Sequence, residues 1–273
     1  MATWQERYGS WALVTGASSG IGAALAEELA RAGINLITVA RTAENLETRA
    51  ASLRKAYGVT VQIVPADLST EEGMRRVIEA AGDREIGILV PCAAVESHGY
   101  FVEESLERHR ALAYLDVVGP MELVHYFGGK MAGRSRGAIL LVSSLAGWLA
   151  QPYLAHYGAA KAYILSLGES LHHELKGKGV DVSVLSPGPT DTPMVTAAGI
   201  DFAAMGMAVM QPAAVAACGL SALGNQVHAV PGFGNRLTLF LMTRLMSRRW
   251  AGAIFKRMLG KALKIKPPTL QRS

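Results

Sequence analysis

Short runs rich in β-branched residues alternate with longer Ala-, Leu- and Glu-rich stretches through the first two thirds of this 273-residue chain. The short runs are continuously apolar, which is typical of parallel strands that helices cover on both faces. This alternation predicts right-handed βαβ units and an α/β fold, a Rossmann-type doubly wound parallel sheet of about seven strands with ligands at the carboxyl ends of its strands. The predicted strands are 11–14, 35–40, 59–64, 86–90, 138–142 and 180–185. The predicted helices include 20–32, 43–57, 71–81 and 155–176.

Charge is distributed unevenly along the chain. Half of the residues are apolar and 18% are charged, a composition that excludes a disordered chain and permits a large buried core. The net charge is +5, yet all 22 acidic residues lie at or before Asp201, and the basic tail, 236–273, holds ten Lys and Arg and no acid. No repeat or linker interrupts the rest. We therefore predict a single domain over 1–235 and a separate basic amphipathic helical tail.

Cysteine usage and the apolar segments bear on the cell compartment. The two cysteines, Cys92 and Cys218, make no disulfide framework and show no metal-ligand spacing, so we expect no metal. The first ten residues lack the pattern of a signal peptide. Residues 202–235 carry no charge, but Pro212 interrupts them, which favours a helix broken at Pro212 inside a globular protein over a membrane span. The expected location is cytoplasmic.

A glycine-rich loop, TGASSGIG at 15–22, stands between the first predicted strand and the first long helix. Glycines at such a turn allow positive φ and close approach of a pyrophosphate, and the helix N-terminus adds free N–H groups. A plain glycine-rich turn is the alternative, but the strand–turn–helix context favours nucleotide binding. The candidate phosphate-binding residues are Gly16, Ser18, Ser19, Gly20, Ile21 and Gly22.

The end of the second predicted strand indicates which nucleotide binds. An acidic residue there would hold the ribose 2′-hydroxyl of NAD, whereas an Arg accommodates a 2′-phosphate. The strand ends at Ala40-Arg41, and no acid follows before Glu44. The guanidinium of Arg41 suits a phosphate, and the alternative is a solvated Arg at a helix start. The sequence thus favours NADP(H) over NAD(H).

A Tyr and a Lys four residues apart, Tyr157 and Lys161, share one face of the predicted helix 155–176. The ammonium favours the phenolate and lowers the pKa of the phenol, as an acid/base Tyr requires. Ser144 follows a strand end thirteen residues upstream, where its hydroxyl is placed to bind the same substrate oxygen. A surface Tyr–Lys pair and a Ser-rich turn are the alternatives.

Taken together, these motifs resemble the short-chain dehydrogenase/reductase family over residues 8–195. The resemblance implies that Tyr157 exchanges a proton with the carbonyl or hydroxyl oxygen, that Ser144 positions this oxygen, and that Lys161 binds the nicotinamide ribose. It also implies a homodimer or homotetramer built through the helices around 105–132 and 155–176. The further cofactor contacts that it implies are Asp67 and Leu68 by the adenine, Ala93, and Pro187, Gly188, Thr190 and Thr192 by the nicotinamide.

Two positions depart from the family pattern. Residues 91–94, Pro-Cys-Ala-Ala, replace the usual Asn-Asn-Ala-Gly and alter packing on the adenosine side. Asp116 stands where the family places an Asn that shapes a helix kink beside a proton relay. An ionised Asp116 near Lys161 would raise the pKa of that lysine, so we expect an active enzyme with an altered pH profile.

The substrate side is apolar. By the same resemblance, residues 189–211 form a lid over the substrate, and this stretch is rich in methionine, whose thioether adapts to irregular apolar shapes. A small hydrophobic carbonyl or alcohol is the expected substrate, although a lid packed on its own core is the alternative. Tyr153 and Met194 are candidate substrate contacts, and His98 and His156 are placed near the entrance.

Residues 250–265 in the basic tail predict an amphipathic cationic helix. Peripheral contact with an anionic membrane surface through 236–273 fits this pattern, and packing on the enzyme's own body or on a partner copy fits it as well. Nucleic acid is not expected, because the basic residues form no recognisable binding motif.

The function that these features favour is NADPH-dependent reduction of a carbonyl, or the reverse alcohol oxidation, on a hydrophobic substrate. The alternative is a catalytically weakened nucleotide-binding regulatory or scaffold protein of the same fold. Asp116 and the altered 91–94 segment favour the alternative, and the intact Ser-Tyr-Lys set argues against it.

Overall fold

Seven parallel strands form one sheet in the computed structural model, which describes residues 2–202 and 205–265. Their spatial order is β3-β2-β1-β4-β5-β6-β7, and each neighbouring pair is parallel. The order reverses beside β1, as in a doubly wound Rossmann-type sheet, so the predicted α/β fold is confirmed. The strands are β1 Trp11–Thr15, β2 Asn35–Ala40, β3 Val61–Pro65, β4 Ile86–Val90, β5 Gly137–Val142, β6 Val180–Leu185 and β7 His228–Ala229.

Helices cover both faces of this sheet. Between β4 and β5 the helical segments α5, α6 and α7 are joined by two wider π-helical turns, Tyr114–Val118 and Val124–Gly128. The helices of the described residues are α1 Trp4–Tyr8, α2 Gly20–Arg31, α3 Ala43–Tyr57, α4 Glu71–Ala81, α5 Leu106–Ala113, α6 Gly119–Leu123, α7 Gly129–Gly133, α8 Ala155–Lys176, α9 Pro193–Ala198, α10 Pro212–Ala222, α11 Phe233–Arg244 and α12 Arg248–Ala262.

Each strand sends alternate side chains into two separate cores. In β1, Ala12 and Val14 pack with α2, α3 and α10, while Leu13 packs on the opposite face with α4 and α8. All residues of β4 are buried, which explains why its sequence is apolar without alternation.

The region around Pro212 differs from the predicted broken helix. Met210 pairs with Thr190 in an isolated parallel bridge, and the helix begins only at Pro212. A proline is tolerated in the first turn of a helix, because its missing N–H would find no partner there. Pro212 therefore starts α10 and does not interrupt a longer helix.

The helix predicted in the basic tail is present as α12, and its apolar face packs on the protein itself. Leu259 and Ala262 are buried in a small core with Leu154, Ala198 and Ile200. The last part of the tail, 266–273, lies outside the described residues. No helix in the described ranges combines the length and apolarity needed to cross a bilayer.

Candidate active site

The predicted catalytic side chains meet beside the carboxyl end of β5. Ser143 and Ser144 follow that strand directly, and α8 passes over it with Tyr157 and Lys161 on one face. The Lys161 Nζ lies 5.5 Å from the centroid of the Tyr157 ring. The π-helical turn after α5 brings Asp116 to the same place. Five residues from three distant segments thus form one cluster.

Asp116 and Lys161 form a buried ion pair. The Lys161 Nζ lies 3.1 Å from the Asp116 Oδ2, and the two side chains are 5% and 0% exposed. The other carboxylate oxygen, Oδ1, accepts a hydrogen bond of 2.9 Å from the Val95 N–H. Lys161 also donates to the Val142 carbonyl at 3.4 Å. The lysine is thereby fixed between the strand end and the π-helical turn.

The ion pair perturbs both of its members. Burial acts to lower the pKa of Lys161, but the charges of Asp116 and Tyr157 outweigh it, so the pKa of the lysine is raised. Burial raises the pKa of the Asp116 carboxyl, and Lys161 and the Val95 N–H oppose that rise. Asp116 therefore raises the pKa of Lys161, as expected from the sequence, and holds the ammonium in its charged form.

The pKa of Tyr157 moves in the opposite direction from the one expected from the sequence. The ring is partly exposed to a cavity, but the phenol is surrounded by protein, and this desolvation raises its pKa. Lys161 lowers the pKa as predicted, and a hydrogen bond from Ser144 also lowers it, yet Asp116 acts against them. The prediction of a net lowering is wrong, because the sequence pattern does not contain the burial.

The two consecutive serines have different roles in the structure. The Ser143 hydroxyl is buried and donates to the Lys161 carbonyl at 2.7 Å, which ties α8 to the strand end. The Ser144 Oγ accepts from the Ala146 N–H at 3.1 Å and starts a short 3-10 turn, Leu145–Gly147. Ser144 is partly exposed and lines the cavity that Tyr157 also lines.

The glycine-rich loop has the geometry of a phosphate site. Gly16 and Gly20 have φ of +68° and +56°, which glycine adopts without strain. A Cβ at Gly22 would lie 2.3 Å from the Gly16 carbonyl oxygen, so only glycine fits there. Ser19, the N-cap of α2, forms no side-chain cap, which leaves the N–H groups of the first turn free for an anion. Ser18, Ser19 and Ile21 are all accessible beside this turn.

The loop also contacts two of the other predicted cofactor segments. Thr15 accepts hydrogen bonds from the Cys92 and Ala93 N–H groups at 3.0 and 2.9 Å, so the atypical 91–94 segment is held against the loop. A Cβ at Gly20 would lie 2.8 Å from the Thr192 Cγ2. The loop, Ala93 and Thr192 therefore enclose one groove.

The segment after β6 is rigid at its start. The Pro187 carbonyl accepts from the Leu145 N–H at 2.9 Å. The buried Thr190 donates to the Gly188 carbonyl at 3.0 Å. Thr192 caps α9 by accepting from the Val195 N–H at 3.3 Å. These contacts hold the segment beside Tyr157, at the edge of the cavity.

Arg41 and Asp67 lie on the exposed side of the groove, at the ends of β2 and β3. Hydrogen bonds from Ser69 lower the pKa of Asp67, and the nearby charge of Arg41 lowers it further. Within the described ranges, Arg41 forms neither a hydrogen bond nor an ion pair, and its side chain is exposed. Leu68 is buried behind it. A guanidinium without a close partner at this strand end is suited to a 2′-phosphate.

The cavity beside Tyr157 has a volume of about 270 Å³ and is mostly apolar. Ser144, Tyr157 and Met194 line it as predicted, together with the polar residues Glu96 and Gln151, which the sequence analysis missed. The basic tail contributes a wall that was also missed: Thr238, Leu239, Met242, Ile254, Phe255, Met258 and Leu259. The sequence did contain a signal for this wall, the apolar face of α12, but it did not show what that face packs against.

Three residues that were placed near the entrance are not among the side chains that line the cavity. Tyr153 packs edge-on against Tyr100, with ring centroids 5.4 Å apart, and lies against Gly260 of α12. His98 is exposed and pairs with Glu96, a lining residue, at 2.6 Å. The His156 Nδ1 lies 2.9 Å from the Nδ1 of the buried His109. The Tyr153 substrate contact stays a prediction.

A doubly wound sheet with this groove and a Ser-Tyr-Lys cluster defines an oxidoreductase that uses a nicotinamide dinucleotide. Residues 10–201 match the short chain dehydrogenase family, and the chain belongs to that family. It is accordingly an enzyme acting on CH–OH and C=O groups. The predicted family is confirmed.

Individual relatives are similar over most of the chain. A 7β-hydroxysteroid dehydrogenase of Clostridium sardiniense is 34% identical over 189 residues, which are 69% of this chain and 72% of the relative. A solved structure from work on 7β-hydroxysteroid dehydrogenase stereoselectivity has a TM-score of 0.87 and 29% identity, and the match covers 93% of this chain and 99% of that one. A short-chain dehydrogenase from Sphingobium yanoikuyae in complex with NADPH has a TM-score of 0.76 and 29% identity, with 96% and 98% covered.

Proposed function

We propose that the enzyme uses NADP(H) to reduce a carbonyl group on a bulky hydrophobic substrate, or to oxidise the corresponding alcohol. The observation that carries this proposal is the cavity itself. Two hydroxyl groups, those of Ser144 and Tyr157, stand on the wall of a chamber that is otherwise mostly apolar. Such a chamber binds an apolar body and orients one polar oxygen.

In this proposal Tyr157 is the proton donor and acceptor. When bound, NADPH would supply the hydride that adds to the carbonyl carbon. Tyr157 transfers its phenolic proton to the carbonyl oxygen, and Ser144 donates a hydrogen bond that positions the same oxygen. A phenol whose pKa is raised by burial is protonated at neutral pH, as a proton donor must be. Lys161 then stabilises the phenolate that remains.

We propose the following contacts between the groove and the cofactor. The free N–H groups of the first turn of α2 bind the pyrophosphate, and Arg41 binds the 2′-phosphate. Lys161 also binds the nicotinamide ribose. The other residues assigned to the cofactor are Gly16, Ser18, Ser19, Gly20, Ile21, Gly22, Asp67, Leu68, Ala93, Pro187, Gly188, Thr190 and Thr192.

The proposed substrate class is a bulky alicyclic ketone or alcohol of the kind that a steroid carries. The relative in C. sardiniense is named for a hydroxysteroid, which supports this class. The cavity of about 270 Å³ and its side chains Met194, Met242 and Met258 also support it, because thioethers adapt to a rigid apolar surface.

Parallel assays with NADPH and NADH on a panel of alicyclic, aliphatic and aromatic ketones test this function. We expect turnover that is fastest with bulky alicyclic ketones and with NADPH. Equal rates with small aliphatic aldehydes would contradict the substrate class, and faster turnover with NADH would contradict the cofactor preference.

We further propose a homodimer or homotetramer in the cytoplasm, with contacts through the helices around 105–132 and 155–176. In this arrangement residues 1–235 form the cofactor-binding and catalytic domain, 189–211 the lid, and the basic tail a wall of its cavity. Light scattering on the full chain measures the assembly. A monomer at micromolar concentration would contradict it.

A second candidate function is a nucleotide-binding regulatory or scaffold protein with weakened catalysis. The buried pair of Asp116 and Lys161 favours it, because a lysine engaged by a carboxylate is less able to stabilise the Tyr157 phenolate. NADPH binding without turnover of any ketone in the panel would support this candidate. Turnover that depends on Tyr157 would exclude it.

A further inference from the structure

Helix α11 presents a row of apolar side chains to solvent, and none of its residues is buried. Phe233, Leu237, Phe240 and Leu241 are 73%, 46%, 56% and 41% exposed. Their spacing of four, three and one residues places them on a single face at 3.6 residues per turn. We call this row, with the flanking residues Arg236 and Arg244, the outer face of α11.

Positive charge surrounds this face. Arg236 and Arg244 are exposed beside the apolar row, and Arg248 and Arg249 begin α12 directly after it. Leu245 and Trp250, 69% and 68% exposed, extend the apolar surface toward α12. No acidic residue occurs anywhere after Asp201. An exposed apolar row whose neighbours in the sequence carry only positive charge is the pattern of a helix that lies at a lipid interface.

We propose that the outer face of α11 docks on an anionic lipid bilayer, with its apolar row in the interface and its arginines on the headgroups. This surface lies largely within the segment 236–273 for which the sequence suggested membrane contact, but it is on α11 and not on α12. The amphipathic helix α12 turns much of its apolar side, including Leu259 and Ala262, into the protein, although Trp250 remains exposed near its start. Helix α11 offers both charge and exposed apolar area.

The charges on the outer face of α11 favour a bilayer over a second copy of the chain as the partner that binds this face. A twofold interface places the same patch of both subunits face to face, so Arg236 and Arg244 would meet their own copies, and the tail has no acidic residue to separate them. Like charges brought together in this way oppose association. A bilayer that contains anionic lipid offers an apolar interior for the exposed aromatic and leucine side chains and negative headgroups for the arginines.

The opposite side of α11 lines the cavity through Thr238, Leu239 and Met242. At 3.6 residues per turn Thr238 and Met242 lie about half a turn away from Phe233 and Phe240, and Leu239 lies about a third of a turn away. Docking therefore places a wall of the cavity against the lipid, and a substrate dissolved in the bilayer has a short path to it. That last consequence rests on the proposed function, whereas the docking itself does not.

Cosedimentation of the full chain with vesicles tests the docking. We expect binding to vesicles of phosphatidylcholine mixed with phosphatidylglycerol, and much weaker binding to phosphatidylcholine alone. The variant Phe233→Gln/Phe240→Gln should lose about 100-fold in partition coefficient, because two aromatic side chains no longer enter the interface. The variant Arg236→Gln/Arg244→Gln should lose about 30-fold on the anionic vesicles.

The matched control is Phe101→Gln/Val102→Gln, which removes two side chains that are 52% and 87% exposed elsewhere on the surface. It should bind vesicles as the wild type does. Circular dichroism and NADPH binding show whether each variant is folded. If the aromatic variant does not fold, the arginine variant still tests the proposal.

Wild-type protein that stays in solution with both vesicle types would overturn the proposal. So would a folded aromatic variant that sediments as the wild type does. Sedimentation velocity showing self-association that depends on Phe233 and Phe240, without vesicle binding, would assign the face to a second copy and overturn the lipid assignment. Vesicle binding is measured without substrate. A failure to find ketone turnover would therefore count against the proposed function and not against lipid docking.

Discussion

Replacing Asp116 by Asn removes a negative charge from the immediate surroundings of the catalytic cluster. The carboxylate holds the pKa of Lys161 up and also acts to raise the pKa of Tyr157. With the neutral amide in place, the phenolate is less disfavoured, so the pKa of Tyr157 falls. The proton donor is then lost at a lower pH during reduction, and the proton acceptor becomes available at a lower pH during oxidation.

The size of the effect follows from two distances. Asp116 Oδ2 lies 3.1 Å from Lys161 Nζ, which lies 5.5 Å from the Tyr157 ring centroid. The carboxylate is therefore within about 9 Å of the ring, where a unit charge contributes about 2 kcal/mol at an effective dielectric constant near 20. That energy corresponds to about a 20-fold change in the ratio of phenolate to phenol at a fixed pH.

Profiles of kcat/KM against pH, recorded for both reaction directions, provide the assay. For Asp116→Asn we expect the alkaline limb of reduction and the rising limb of oxidation to move to lower pH. Alcohol oxidation on the rising limb should be faster than in the wild type, by up to about 20-fold. Glu107→Gln, which removes an exposed carboxylate from α5, should leave both profiles in place. Identical profiles for Asp116→Asn and the wild type would refute the reasoning.

Three further predictions concern the cofactor groove and a thiol. Arg41→Ala should raise the KM for NADPH about 10- to 100-fold, because a charged hydrogen bond is lost, and should leave the KM for NADH unchanged. Equal effects on the two KM values would contradict the assignment of Arg41 to the 2′-phosphate. Gly22→Ala should weaken NADPH binding at least about tenfold in a fluorescence titration, because its Cβ would lie 2.3 Å from the Gly16 carbonyl oxygen. Gly129→Ala, with open space around its Cβ, should bind NADPH normally. Burial raises the pKa of the Cys92 thiol to about 12, so iodoacetamide at pH 8 should alkylate Cys92 far more slowly in the folded than in the urea-unfolded protein, as measured by mass spectrometry.

Elements with strong local boundary signals could be predicted from the sequence to the residue. The predicted helix 43–57 ends where Gly58 adopts φ of +68°, and helix 71–81 begins after Thr70, whose side chain accepts from the Gly73 N–H. Such caps are determined by nearby residues, so a single sequence reveals them. The runs 35–40, 86–90 and 180–185 were likewise predicted correctly as strands, and the uninterrupted apolar run 86–90 is buried throughout.

Elements that depend on distant partners could not be found in this way. Strand β7 is only two residues long and is defined by its pairing with β6. Residues 202–235 were interpreted as a helix broken at Pro212, but the bridge between Met210 and Thr190 determines the conformation before that proline. Neither pairing leaves a periodic pattern in the sequence.

The active site likewise combines features that local sequence predicts with features that depend on distant parts of the folded chain. The spacing of Tyr157 and Lys161 predicted one shared helix face, and the structure places the two side chains together. The upward direction of the Tyr157 pKa depends on burial, which is a property of the folded molecule. The periodicity of α12 revealed an apolar face, but only packing on Leu154 and Ile200 identifies what covers it.

We propose that Tyr157 transfers the proton in a cavity to which the basic tail contributes a wall. Steady-state NADPH oxidation with a bulky alicyclic ketone by wild type and Tyr157→Phe, together with NADPH affinity measured by fluorescence, tests this role of Tyr157. We predict that Tyr157→Phe loses about 10²- to 10⁴-fold in kcat, the usual contribution of a general acid, while its affinity for NADPH is unchanged. A Tyr157→Phe variant that turns over at the wild-type rate would contradict the claim.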